Sequence, residues 1–167
     1  MSRLLKLLNN LKTQANVAWL TDAQRDAFAS LEQELRFPEK INLYGPGGCG
    51  KTFLAWAVSR ALSIPYYPSP QAFEARSQRP QPQAIVDNVS VGERAARQLL
   101  AISQSKGTHT LVFITHQPNS LRMYAIGLPP PSPADFDVVY RNLSLLEYYA
   151  LPPVRHGDLW QAVHAVL

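Results

Sequence analysis

One short segment constrains the fold of this chain more than any other. Residues 42–56 read NLYGPGGCGKTFLAW, so four glycines and a proline lie between two apolar runs. The run KINLYG predicts a buried strand before the loop, and KTFLAWAVSRALS predicts a helix after it. Glycine loses more conformational freedom on folding than any other residue. A loop this rich in glycine is therefore expected where the backbone needs unusual dihedral angles or must approach a ligand closely.

The positions of the polar residues in this loop predict a phosphate-binding site. Gly45, Gly50, Lys51 and Thr52 match the spacing G-x-x-x-x-G-K-[ST] between a predicted strand and a predicted helix. Glycines let backbone N–H groups turn towards phosphate oxygens, and the N-terminus of the helix adds its positive dipole end. Lys51 would contact the β and γ phosphates, and the Thr52 hydroxyl would bind Mg²⁺. The alternative is a glycine-rich turn that matches the pattern by chance.

The loop resembles the Walker A motif of P-loop NTPases, and the resemblance extends to a second strand. In that superfamily an apolar strand ends in an aspartate that orients the Mg²⁺ water, and AIVDN supplies Asp87. The resemblance implies ATP and Mg²⁺ as cofactors, Thr52 and Asp87 on the metal, and Lys51 and Asp87 in catalysis. It also implies nucleotide contacts along the whole loop, from Gly45, Pro46, Gly47, Gly48, Cys49, Gly50, Lys51, Thr52 and Phe53. The alternative for Asp87 is a carboxylate that ends a strand and begins a turn.

One position departs from the pattern of such ATPases. They usually place a glutamate after the aspartate as the base that activates water, and Asn88 stands there instead. An amide can orient a water molecule but cannot accept its proton. We therefore expect hydrolysis to be slow or to depend on another carboxylate. Glu93 and then Glu74 are the nearest candidates.

A further polar position follows the strand TLVFITHQP, which would end beside the γ-phosphate. AAA+ and helicase-like ATPases carry a sensor residue at this place, so the resemblance implies a role for Thr115, His116 or Gln117. Thr115 is the candidate we place in the catalytic set. For His116 the alternative is an ordinary loop histidine.

Two families of P-loop ATPase compete for the resemblance. The order and spacing of LYGPGGCGKTFLAWAVSRAL, AIVDN and GTHTLVFITHQP resemble AAA+ ATPases of the initiator and helicase-loader type. Alternatively, LTDAQRDAFASLEQEL is similar to the superfamily 1 helicase segment whose glutamine reads adenine, which would assign Gln24 to the base. AAA+ proteins complete their site with an arginine from the adjacent subunit, for which Arg122 and Arg141 are candidates. If neither acts in this way, both are ordinary surface arginines.

The alternation of apolar strands with helices predicts the fold. It implies a three-layer α/β/α domain with a mostly parallel sheet of about five strands. We predict N-terminal helices over residues 1–37, on the adenine side and able to dock a partner, and a P-loop core over 38–167. Residues 117–137 are predicted as a loop, and VVYRNLSLLEYYAL as the last strand. The AAA+ resemblance makes HGDLWQAVHAVL the first helix of a lid domain, so we expect the core to end without a lid.

The composition of the chain gives only a weak indication of what the protein binds. The chain has 167 residues, a net charge of +4 and a pI near 9.4, which favours an acidic partner such as DNA. It has no run of about 18 apolar residues, so we expect no membrane span. Its only cysteine is Cys49, which is typical of a cytoplasmic protein. The aromatic residues of the predicted loops either stack on bases or pack locally; they are Tyr66, Tyr67, Phe73 and Tyr124.

These observations favour one function and leave two alternatives. The favoured function is a slow Mg²⁺-dependent ATPase that acts as a subunit or loader in a DNA-handling assembly. Its partners would be other protein subunits or further copies of the chain, and possibly DNA. The first alternative is a nucleotide-binding switch or structural module with negligible hydrolysis. The second is a remnant of a superfamily 1 helicase core.

Overall fold

The computed structural model describes residues 2–76, 80–149 and 157–167. Five strands are present in these ranges: β1 Lys40–Tyr44, β2 Tyr66–Tyr67, β3 Gln83–Val86, β4 Thr110–Thr115 and β5 Tyr124–Gly127. The helices are α1 Arg3–Gln14, α2 Asp22–Glu34, α3 Lys51–Leu62, α4 Pro70–Arg76, α5 Glu93–Ser105, α6 Pro133–Leu145 and α7 Leu159–His164. A single 3-10 turn spans Val17–Trp19. None of these helices has the length and apolar content needed to cross a membrane.

The strands form one sheet in the order β2-β3-β4-β1-β5, and every pair is parallel. Parallel neighbours need long crossover connections, which the helices supply on both faces. Side chains of β3 and β4 alternate between the faces, as the two-residue period of a strand requires. Ile85 and Val112 pack towards α2 and α3, whereas Val86 and Phe113 pack with residues of α4 and α5. The predicted three-layer α/β/α fold is confirmed.

The predicted position of the last strand is wrong. VVYRNLSLLEYYAL forms most of α6 and the turn after it, apart from residues 150 and 151, which lie outside the described ranges. The strand β5 instead falls inside the segment 117–137 that was predicted as a loop. The start of α6 explains the error, because the Asp135 carboxylate accepts hydrogen bonds from the backbone N–H and the hydroxyl of Ser132 at 2.7 and 2.9 Å. This capping box and the following Pro133 begin a helix that a short β-branched run conceals.

The two ends of the described chain meet in a small apolar cluster beside the main core. Leu7 and Leu11 on α1 pack with Leu143 on α6 and with Val163 on α7. Leu7 and Leu11 therefore hold α1 against the rest of the domain. In this way α1, α6 and α7 form one wall over the end of the sheet that carries the glycine loop.

Truncation of α1 tests this packing. Leu7 is fully buried, so Leu7→Ala should lower the free energy of unfolding by about 2–5 kcal/mol. Leu5, on the same helix, is 46% exposed, and Leu5→Ala should change it by less than about 0.5 kcal/mol. Urea unfolding of both variants measures the difference, and equal effects would show that α1 does not pack as described.

Candidate nucleotide-binding site

The glycine loop joins the carboxyl end of β1, an inner strand of the sheet, to the first residue of α3. Gly48 and Gly50 have φ angles of 71° and 87°, which are unfavourable for any residue with a side chain. Close neighbours add a second constraint. A Cβ at Gly48 would lie 2.0 Å from Cβ of Asp158, and one at Gly50 would lie 2.2 Å from Nε2 of Gln24. Both glycines are therefore required by the loop conformation and by the protein that packs against it.

Lys51 is buried and its ammonium lies inside the loop. Its Nζ donates to the carbonyl oxygens of Gly45 and Pro46, both at 2.7 Å, and lies 3.6 Å from Sγ of Cys49. Burial raises the pKa of the Cys49 thiol, and the Lys51 charge opposes that shift only in part. The loop thus presents a fixed positive charge beside a neutral thiol, which suits the binding of phosphate oxygens.

Thr52 and Asp87 are 35 residues apart in the sequence and in direct contact in the structure. The Thr52 hydroxyl donates to Oδ2 of Asp87 at 2.7 Å. Tyr66 donates to the same oxygen at 2.8 Å, and the backbone N–H of Asn88 donates to Oδ1 at 2.7 Å. Asp87 is only 3% exposed, so these bonds offset much of the cost of burying its charge. The predicted pair of metal-binding residues is therefore brought together.

The oxygen atoms of Thr52 and Asp87 are suitable ligands for a magnesium ion. Mg²⁺ prefers hard oxygen ligands and is usually held by one or two carboxylates, substrate phosphates and water. The Thr52 hydroxyl and the Asp87 carboxylate supply protein oxygens of this type. No group of three or more His, Cys, Asp or Glu side chains that could hold a metal ion is found within the described ranges, at this site or away from it. The pair thus suits an ion that arrives together with phosphates.

Tyr66 is a site residue that sequence reasoning missed. It was weighed only as a loop aromatic, but it lies in β2 and its hydroxyl contacts Asp87. Burial raises the pKa of Tyr66, and the Asp87 charge raises it further. Tyr67 and Phe73 are buried in the core with ring centroids 5.1 Å apart, so they pack locally. Tyr66 begins β2, which pairs with β3, and this pairing places its hydroxyl at Asp87.

Thr115, at the end of β4, is buried in a network of polar groups. Its hydroxyl accepts a hydrogen bond from Nδ2 of Asn42 at 2.8 Å and donates to the carbonyl of Gln117 at 2.6 Å. Asn42 also accepts from the backbone N–H of Asn119 at 2.7 Å. Asn42 is a second residue that sequence reasoning missed, although an asparagine inside an apolar strand was a visible signal. This network fixes the turn after β4, where His116 lines the cavity described below.

Two further predicted residues already have protein partners. Asn88 has a left-handed backbone conformation, with φ at 54°, and its side chain donates to the carbonyl of Pro68 at 2.9 Å. Gln24 completes a capping box, in which its Oε1 accepts from the backbone N–H of Thr21 at 3.0 Å. Its Nε2 donates to the carbonyl of Gly50 at 3.3 Å. Gln24 therefore links the start of α2 to the glycine loop through the two ends of its amide.

The loop opens into a cavity of about 600 Å³. One end is polar and contains the loop, Asp87, Asn88 and Thr115. The other end is mainly apolar and lies between α1, α3, α6 and α7, with walls from Leu8, Leu11, Trp19, Phe53, Trp56, Val139, Asn142, Leu143, Leu159, Trp160 and Val163. A cavity of this size, with one charged end and one apolar end, is suited to a ligand of the same character.

Four of the predicted residues lie away from this cavity. Glu93 begins α5 and forms an exposed ion pair with Arg97, and Glu74 is exposed on α4. Arg122, before β5, and Arg141, on α6, are also exposed. None of these four lines the cavity. The structure therefore does not bring the two glutamates or the two arginines to the loop.

Comparison with known proteins shows the fold. No protein-family model matches the sequence, and no curated protein is significantly similar to it. A crystal structure of a DNA replication initiation factor superposes with a TM-score of 0.61 and 12% identity, covering 90% of this chain and 62% of that chain. The Thermotoga maritima RuvB Holliday junction branch migration motor superposes with a TM-score of 0.57 and 17% identity, covering 93% and 59%. The R170A form of that RuvB superposes with a TM-score of 0.56 and 16% identity, covering 83% of this chain and 56% of that chain.

This chain shares its fold with these structures. The identities of 12 to 17% mean that the likeness concerns the fold alone. The chain spans between 56 and 62% of the length of these structures.

The glycine loop offers a matched pair of substitutions. Gly48→Ala should lower the free energy of unfolding by at least about 1–2 kcal/mol, because of its left-handed conformation and the contact with Asp158. Gly47→Ala should change it far less, since nothing lies within 4 Å of an added Cβ there. Thermal unfolding without nucleotide measures both. Equal losses would contradict the close packing of Asp158 on the loop.

The contact between Tyr66 and Asp87 can be tested separately. Tyr66→Phe removes a hydrogen bond to a buried carboxylate and should cost about 1–3 kcal/mol of unfolding free energy. Tyr124, on β5, is 45% exposed, and Tyr124→Phe is the control, with an expected change near zero. Chemical denaturation of the two variants should separate them, and a Tyr66→Phe variant as stable as the control would refute the contact.

Proposed function

We propose that this protein binds ATP together with Mg²⁺ and hydrolyses it slowly. The observation that carries the proposal is that Lys51, Thr52 and Asp87 line one cavity, with Thr52 in contact with Asp87. Lys51 and Thr52 begin α3, whereas Asp87 follows β3. The folding of the sheet, and not the local sequence, therefore brings Asp87 to Thr52. A chance glycine-rich turn would not be expected to place its threonine on a buried aspartate from another strand.

Each residue has a distinct task in this proposal. The loop backbone and the Lys51 ammonium bind the phosphates, and Thr52 and Asp87 hold the metal. When bound, Mg²⁺ neutralises phosphate charge and orients the nucleotide. Tyr66 holds the Asp87 carboxylate in place through its hydrogen bond. Tyr66 is thus a positioning residue, because it acts through Asp87.

Slow turnover follows from the groups near the loop. The Asn88 amide cannot accept a proton from water, and its nitrogen is bonded to Pro68. Glu93 and Glu74 lie away from the cavity. Thr115 and His116 remain at the end of β4, where they can orient a water or sense the phosphate. Negligible hydrolysis is the second candidate function, and it is favoured because no glutamate lines the cavity among the residues that the structure describes.

The assembly in which the protein works is also a proposal. The two kinds of protein that share the fold are named as a DNA replication initiation factor and a branch migration motor. Together with the net charge of +4, this supports a role as a subunit or loader in a DNA-handling assembly. Arg122 and Arg141 are exposed and free to reach the site of an adjacent copy. The fold likeness to these structures favours this role over that of a remnant of a superfamily 1 helicase core.

The experiment measures ATP binding and ATP turnover on the same samples, with Mg²⁺, and with or without single- and double-stranded DNA. Lys51→Ala should weaken ATP binding by about tenfold or more, because it removes charge-assisted hydrogen bonds to phosphate. Lys6→Ala, exposed on α1, is the matched control and should bind as the unaltered protein does.

The results separate the candidate functions. Turnover that rises with DNA and is lost in Lys51→Ala supports a DNA-linked ATPase. Tight binding without turnover under any condition supports a switch or structural module. If the unaltered protein binds no nucleotide at all, the proposal is wrong.

A further inference from the structure

The apolar end of the cavity contains a buried amide. Asn142 lies on α6, is 5% exposed and lines the cavity beside Val139 and Leu143. A buried asparagine among apolar side chains is unfavourable unless its polar atoms find partners. The partners of its two amide atoms therefore indicate what this end of the cavity can bind.

The orientation of the Asn142 amide is determined by one contact. Its Nδ2 donates to the backbone carbonyl of Trp19 at 2.8 Å. A carbonyl oxygen can only accept a hydrogen bond, so the nitrogen must face Trp19 and the oxygen must face away. In the part of the chain that the structure describes, no donor is found within hydrogen-bond distance of Oδ1. The side chain therefore offers a fixed, unused acceptor at the cavity wall.

The surroundings of this acceptor suit a flat aromatic ring. Trp19, Phe53 and Trp56 line the same end of the cavity, and the rings of Phe53 and Trp56 meet edge to face with centroids 6.5 Å apart. The cavity is continuous with the glycine loop and measures about 600 Å³. The cavity has room for a nucleotide whose phosphates lie in the loop and whose base lies beside these aromatic residues.

We propose that Asn142 selects the base, accepting a hydrogen bond from the amino group at C6 of adenine. This inference rests on the proposed function, since it concerns the base of a nucleotide bound at the loop. Adenine carries an N–H donor at C6, whereas guanine and hypoxanthine carry a carbonyl oxygen there. That oxygen would face Oδ1 of Asn142, so two acceptors would meet in a buried place and neither could donate to the other. Adenine nucleotides are therefore favoured over 6-oxopurine nucleotides.

Asn142 is better suited to this task than Gln24. The Gln24 amide has a protein partner at each end, Thr21 at the oxygen and Gly50 at the nitrogen. A base could be read by Gln24 only if one of these bonds were given up. Asn142 needs no such exchange, because its oxygen is available while its nitrogen stays on Trp19.

Three diphosphates test the proposal in the unaltered protein. ADP carries the C6 amino group, purine riboside diphosphate carries hydrogen at C6, and inosine diphosphate carries oxygen. ADP should bind about tenfold or more tightly than inosine diphosphate, with purine riboside diphosphate between them. Titration calorimetry with Mg²⁺ present gives the three dissociation constants. The phosphates are the same in all three, so differences report on the base alone.

Substitution at Asn142 assigns the preference to this residue. Asn142→Leu has a similar volume without the acceptor and should bring the ratio of the ADP and inosine diphosphate affinities close to one. Asn142→Ala serves the same purpose if leucine is not tolerated. Ser144→Ala, on the same helix, removes a hydroxyl that donates to the carbonyl of Arg141 and should leave the ratio unchanged.

The outcomes distinguish this inference from the proposed function. Equal binding of ADP and inosine diphosphate by the unaltered protein overturns the inference and leaves nucleotide binding intact. An unchanged ratio in Asn142→Leu or Asn142→Ala also overturns it, because the base would then be read elsewhere. Failure of every nucleotide to bind would overturn the proposed function, and the inference with it.

Discussion

The parallel pairing of β1 between β4 and β5 is the constraint on which the rest of the structure depends. In a parallel sheet the carboxyl ends of all strands lie on one edge. The glycine loop, Asp87 and Thr115 follow β1, β3 and β4, so one arrangement of hydrogen bonds brings all three to the same edge. Thr52 then needs only the first turn of α3 to reach Asp87. The chemistry of the site is therefore a consequence of strand order.

The sequence could predict those parts of the fold and site that are encoded in short, continuous segments. The strand, loop and helix around Lys51 are local, and Asp87 ends an apolar run, so both were predicted. The strand β5 was not, because four residues with only Ile126 buried give too little apolar pattern to recognise. The segment from residue 138 was predicted as a strand because residues 138 and 139 are both β-branched. It is a helix, and Ser132 and Asp135 fix its start.

The missed site residues share a physical reason. Tyr66, Asn42 and Asn142 act through contacts with residues between 21 and 123 positions away in the sequence. No spacing rule can find such contacts, because they exist only once the sheet and the helices have packed. A polar residue inside an apolar segment is the one local signal, and it says that a partner is needed without saying which.

The packing of α7 on the glycine loop links the two ends of the cavity. The backbone N–H of Leu159 donates to the carbonyl of Gly48 at 2.8 Å, and Asp158 occupies the space that a side chain at Gly48 would fill. Val163 on α7 packs in the same cluster as Leu143, the neighbour of Asn142. The glycine loop and the helices that line the apolar end of the cavity are therefore joined through α7. Because packed interiors deform little, a shift at either end is expected to be felt at the other.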